Sequence, residues 1–231
     1  MKKEIDDIKG FVRQVSDNNR RLLTLEESLN LLSRIGIDVA ETYFISNISE
    51  VQDLPQVLKF PVVAKIVSEK ITHKTDKGGV VLDIQDMETL VKQIEKIFEK
   101  FLSYDRYLKV AIQPMVRGKE IFAGIKRDSV FGPTLMFGIG GIFVELIKDI
   151  SIRILPVEKK ELYDMIKEIK GFPVLRGYRS GKEVDLDNIV ETLYRLSILA
   201  LEIPEIQEID INPMIATDRY VLAVDSRIIL K

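Results

Sequence analysis

"LKVAIQPMVRGKEIFAGIKRD", residues 108–128, is a pair of strand-like runs joined near Arg117 and Gly118, with Pro114 inside the first. A proline has no N–H to give to a ladder, so the first strand ends or lies at an edge at that point. The junction predicts a boundary between two lobes close to Gln113.

Upstream, "FPVVAKIV" (60–67) and "GVVLDI" (79–84) are short and β-branched and flank a lysine-rich loop, which predicts strand, loop, strand. "METLVKQIEKIFEKFL" then places apolar residues at 90, 91, 94, 97, 98 and 101, one face of a helix. Nearer the start, "TLEESLNLLSRIG" carries Thr24 as cap, Glu27 three residues on, apolar positions 25, 29, 32 and 35, and Gly36 as terminator. Residues 1–21 are polar and read as a mobile or docking leader, 22–112 as the N-terminal lobe and 113–231 as the C-terminal lobe.

Downstream, "VFGPTLMFGIGGIFVELI" reads as a buried strand, a glycine loop and a further strand. "VEKKELYDMIKEIKG" is a capped helix closed by Gly171, and "DLDNIVETLYRLSILALEI" a second one opened by Asp185 or Asp187. The last stretch, "IQEIDINPMIATDRYVLAVDSRIIL", gives strand pairs broken at Asn212-Pro213 and at Asp218-Arg219. Strands and helices mix without strict βαβ alternation, so the expected class is α+β or mixed α/β, not one parallel sheet.

Composition bounds the function. The chain has 231 residues, 46% of them apolar and 30% charged, and a formal charge of −2. That charge argues against nucleic acid as main partner, since phosphate backbones select a strongly basic face. With no cysteine and one histidine, thiolate chemistry and histidine-rich metal sites are excluded, and any metal is a hard cation on oxygen ligands. No run of 18 apolar residues and no signal-peptide core occur, so a soluble cytoplasmic protein with no membrane span is the expectation.

The single histidine, His73, lies in the lysine loop "KIVSEKITHKTDKGGV" (65–80) beside Gly78-Gly79. Close-approaching glycine backbone and nearby ammonium groups suit phosphate, although a solvated hairpin loop reads the same way. Neutral imidazole there could act as phosphoryl acceptor or as general base. Lys65 stands in an apolar strand, where a charge needs an anionic partner: a ligand phosphate or a neighbouring carboxylate. Glu145, Asp149, Asp210, Asn212 and Asp225 form an acidic constellation, and strand alternation puts Asp210 and Asn212 on one face, where both could meet a cation or merely cap a turn. Around Pro114 the interrupted strand offers backbone groups to a flat ligand and Met115 an apolar surface, while Glu120 could accept from a ribose hydroxyl and Arg127 could face phosphate.

Taken together, "FPVVAKIVSEKITHKTDKGGV", "IQPMVRGKEIFAGIKRD", "FGPTLMFGIGGIFVELIKDISIRILP", "GFPVLRGYRSG" and "EIDINPMIATDRYVLAVDSRI" resemble, in one order from about residue 22 to 231, the ATP-grasp β subunit of archaeal ADP-forming acyl-CoA synthetases, related to succinyl-CoA synthetase. The resemblance implies a two-lobed ATP-grasp fold holding ATP or ADP with Mg2+ between its lobes. It implies Lys65 at the nucleotide phosphates, Gln113, Pro114, Met115 and Val116 as adenine hinge, Glu120 at the ribose, and Asn212 and Asp225 as magnesium ligands. Asp210 is similar to the acidic residue that steadies a phosphohistidine, and His73 to the β-subunit histidine that takes up phosphate transiently. It also implies a CoA-binding α subunit with its own phosphohistidine in an α2β2 assembly. The alternatives are a stand-alone ATP-grasp carboxylate ligase and a nucleotide-sensing regulatory subunit.

Overall fold

The structure is a computed structural model that describes residues 2–55, 58–68, 70–71, 74, 77–141, 149–178 and 182–231. His73, Glu145 and the strand expected after the glycine loop lie outside the described residues. Two compact units are present, Ala40–Val116 and, from both ends of the chain, Met1–Val39 with Arg117–Lys231.

In the Ala40–Val116 unit, β1 (Tyr43–Ile45), β2 (Val62–Val67), β3 (Val80–Ile84) and β4 (Lys109–Pro114) make an antiparallel sheet of order β1-β4-β2-β3. Strand β4 stops at Pro114, as the missing N–H demands. Helix α3 (Met87–Phe101) is capped by Asp86, whose carboxylate accepts from Thr89 N at 2.7 Å. Its stripe Leu90, Ile94, Ile97, Phe98 and Phe101 is buried with Val62, Ala64, Ile66, Val110 and Ile112 in one apolar core.

The larger unit is built on a six-stranded sheet of order β10-β8-β5-β6-β7, with β9 paired to β8. Its strands are β5 (Lys119–Asp128), β6 (Gly132–Ile139), β7 (Ile150–Ile154), β8 (Ile206–Ala216), β9 (Val221–Ala223) and β10 (Arg227–Leu230), all antiparallel. Period-two alternation gives the sheet two different faces. Ile121, Ile125, Leu135, Phe137, Ile209 and Ile211 are buried. Against the sheet pack α4 (Lys159–Glu168) and, beyond the short α5 (Phe172–Leu175), α6 (Leu186–Glu202). On the other face Glu120, Lys126, Ile152 and Ile154 are exposed, and Glu208, Asp210 and Asn212 half-buried.

The first residues differ from the polar leader expected of them. Residues Lys2–Asp17 form a helix, α1, with Ile5, Ile8, Val12 and Val15 buried. Those spacings of three and four put all four on one side of a helix, and that stripe outweighs the charges around it. Helix α2 (Leu25–Arg34) carries the expected Thr24–Glu27 capping box. It packs against β10, and Leu23 N donates to Ile228 O at 3.0 Å. Val39 bridges to Ala223 on β9, so residues 22–39 group with the C-terminal part of the chain, where the sequence placed them in the N-terminal lobe. The junction between the two units falls after Val116.

Candidate nucleotide site

Lys65 is nearly fully buried, 3% exposed, in the middle of β2 between Val80 on β3 and Ala111 on β4. Its strand neighbours Ala64 and Ile66 belong to the apolar core, so alternation sends Lys65 to the other face of the sheet. Gln113 shares that face, because its own neighbour Ile112 is a core residue. Gln113 is buried, pairs across from Val63, and donates from Nε2 to Thr42 Oγ1 at 2.8 Å. One sheet face therefore gathers a cationic head and an amide, both withdrawn from water. Beyond Pro114, the N–H of Met115 is held by Pro61 O at 2.9 Å, so of the expected hinge this donor is already engaged. Met115 and Val116 are half-buried.

In the larger unit, Glu120, Gly141 and Asn212 converge. Gly140 N donates to Glu120 O at 2.9 Å and Gly141 N to Asn212 Oδ1 at 3.1 Å. Gly141 has φ +66°, a conformation that favours glycine, and Glu120 Oε2 lies beside its Cα. Pro213 O accepts from Asp225 N at 3.4 Å, which ties the Asp225 segment beside Asn212. As alternation requires, Glu208, Asp210 and Asn212 share one face of β8.

The electrostatics of this corner are unbalanced. Burial first, then the Glu208 charge, pushes the Asp210 carboxyl above the ordinary aspartate range; Arg227 opposes the shift and Asp225 adds to it. Asp210 Oδ1 is buried and has no hydrogen-bond partner among the described residues. Surplus carboxylate charge, one unsatisfied carboxylate oxygen and the adjacent Asn212 amide oxygen are a donor set suited to a hard, oxygen-seeking cation. Among the described residues there is no group of three or more His, Cys, Asp or Glu that could hold a metal.

Arg127 is elsewhere. Its guanidinium donates to Ile206 O at 2.7 Å, to Ile203 O at 3.1 Å and to Ala200 O, closing the C-terminal end of α6. The expectation that it faces phosphate is not supported, and the reason was legible: Arg127 and Glu120 have opposite parity along β5, so they leave the strand on opposite faces. Asp149 is also engaged in structure, accepting from Lys170 N at 2.8 Å and Gly171 N at 2.6 Å. Sequence reading missed the paired roles of Gly141 and Thr42, which emerge only from the folded neighbours of Asn212 and Gln113.

The model of the ATP-grasp domain family matches residues 14–230. The chain belongs to the ATP-grasp family. The β subunit of acetate–CoA ligase [ADP-forming] I of Pyrococcus furiosus is 38% identical over 95% of this chain and 96% of its own length, which places the chain among such ATP-grasp β subunits. The Archaeoglobus fulgidus acetate–CoA ligase [ADP-forming] I is 40% identical over 88% of this chain, which spans only 30% of that longer relative. A crystal structure of Candidatus Korarchaeum cryptofilum acetyl-coenzyme A synthetase 1 with coenzyme A and Mg-AMPPCP, its phosphohistidine segment pointing towards the nucleotide site, superposes with a TM-score of 0.80 and 35% identity. The match covers 94% of this ATP-grasp chain and 97% of that one. No helix among the described residues is long and apolar enough to cross a membrane.

Proposed function

We propose that this chain is the nucleotide-binding β subunit of an ADP-forming acyl-CoA synthetase, acting in the cytoplasm on a reversible reaction in which acyl-CoA, ADP and phosphate give carboxylic acid, CoA and ATP. The observation that carries this reading is the match to almost the whole of a separately encoded β subunit, against 30% of a longer ligase. In this reading the rest of the longer ligase's length corresponds to a CoA-binding α subunit with a phosphohistidine of its own, assembled as α2β2.

In this reading phosphate displaces CoA from the acyl group on the partner, giving acyl phosphate and free thiol. A partner histidine nitrogen then attacks phosphorus, and the carboxylate leaves. The phosphoryl group passes to His73, breaking one P–N bond and forming another, and a β-phosphate oxygen of ADP finally displaces the imidazole to give ATP. Lys65 neutralises phosphate charge from a buried position, where a charge-assisted bond is strongest. Glu120 accepts from the ribose, and Val116 is the hinge donor for the base, since Met115 N is held by Pro61. Asn212 and Asp225 hold magnesium, which when bound withdraws charge from the transferring phosphoryl group. Asp210 steadies a phosphoimidazole through its unsatisfied oxygen.

The test is incubation of the chain, alone and with its partner, with magnesium and γ-labelled ATP. Acid-labile, base-stable label on the wild type and none on His73→Ala is the expected result. Equal labelling of both chains, or ATP binding without label in either, would overturn the phosphohistidine step on this subunit.

A further inference from the structure

At one end of the six-stranded sheet lies a cavity of about 500 Å3 whose charges come from Arg117, Lys119, Lys182, Glu183, Asp218 and Arg219. Both carboxylates are already matched, Asp218 with Lys182 at 3.3 Å and Glu183 with Arg176 outside the cavity. Arg117, Lys119 and Arg219 enter no ion pair among the described residues. Arg219 shares the field of Asp218 with Lys182, which already pairs that carboxylate, so cations outnumber the carboxylates of this concave space, an arrangement that like-charge repulsion disfavours unless an anion joins them.

The wall that presents them is held in shape. Thr217 Oγ1 accepts from Arg219 N and Tyr220 N, each at 3.1 Å, and Thr217 N donates to Tyr220 O at 2.9 Å. Thr217 O in turn accepts from Asp185 N at 2.8 Å, anchoring the turn to the cap of α6. Arg219 therefore stands on a pre-ordered turn, which lowers the ordering cost of binding. Tyr220, half-buried, adds an aromatic surface.

This cavity is not the nucleotide site already described. Lys119 lines it, and alternation sends Glu120 to the opposite face of β5. None of Lys65, Glu120, Asn212 or Asp225 lines it.

We propose that the cavity binds a small phosphate-bearing polyanion, with two or more adjacent negative charges, as a second ligand of this subunit. Two guanidinium forks and an ammonium match phosphoryl oxygens in number and geometry. A singly charged carboxylate would leave two of the three cations unmatched.

Titration of the whole chain with pyrophosphate, followed calorimetrically, tests this, using wild type, Arg117→Ala, Arg219→Ala and Lys65→Ala. Arg117 and Arg219 are exposed, so their variants should keep the wild-type thermal midpoint and serve as folded controls. Expected is saturable binding that survives Lys65→Ala, weakens about tenfold or more on loss of either arginine, and falls as salt is raised. Absence of saturable binding in the wild type would overturn the proposal. So would binding lost in Lys65→Ala but untouched by both arginine changes, because pyrophosphate would then be reporting the nucleotide residues.

Discussion

Asp210 and Arg227 face each other across the β8–β10 ladder, and the guanidinium fails to offset what burial and Glu208 impose on the carboxyl. Because the folded state holds the Asp210 proton more tightly than the unfolded chain, stability is lost as pH rises from the ordinary aspartate range through the raised folded value. Asp210→Asn is therefore expected to be more stable than wild type at neutral pH, with the difference shrinking to nothing below the ordinary aspartate range. Urea unfolding of both proteins across pH 3 to 8, roughly the span on either side of a shifted carboxylate, measures this directly. A variant less stable than wild type at neutral pH would mean that the carboxylate is net paired.

Lys65 separates binding from folding. The methionine of Lys65→Met keeps the length and the apolar stem of the side chain in a site 3% exposed, so the four-stranded sheet should survive. Nucleotide affinity should fall about tenfold or more, the usual consequence of losing a charge-assisted bond worth about 1.5–3 kcal/mol. Calorimetric titration with ATP and magnesium decides it; wild-type affinity in a folded Lys65→Met protein would remove Lys65 from the phosphate site.

Arg127 should behave in the opposite way. Arg127→Met removes donors from the Ala200 and Ile203 carbonyls at the end of α6 and from Ile206 O at the start of β8 and should cost about 2–4 kcal/mol of stability, while nucleotide affinity stays within about twofold. A stable variant with weakened ATP binding would return the residue to the phosphate role that its position in the sequence suggested.

The contrast between these two side chains shows where the sequence was readable. Lys65 is a charge inside an apolar strand, an anomaly visible without coordinates, and the Thr24–Glu27 box and the stop at Pro114 are equally local. Asp210 and Asn212 share a face because a strand has period two, and that too needs no tertiary information. For Arg127 residue type points to phosphate, whereas its parity along β5 sends it to the face opposite Glu120, where it meets backbone carbonyls. The Gln113–Thr42 and Gly141–Asn212 bonds each join residues 71 positions apart, and no local pattern announces such pairs.

Helix α1 is the other place where local reading went astray, and it yields the sharpest stability test. Charged residues dominate Lys2–Asp17, yet Ile5, Ile8, Val12 and Val15 are each no more than 5% exposed. A helix with one narrow apolar stripe depends on what covers that stripe, since its intrinsic helicity at this length is marginal in water. Ile8, fully buried, is the centre of the stripe. Ile8→Ala should cost about 2–5 kcal/mol, as the loss of buried methyl groups and the cavity left behind both act. Ile8→Ala and the exposed-side Arg13→Ala, compared by urea unfolding, separate packing from propensity. The first should shift the midpoint strongly and the second by less than about 0.5 kcal/mol in free energy. Equal small effects would mean that α1 does not rely on its buried face for attachment to the larger unit.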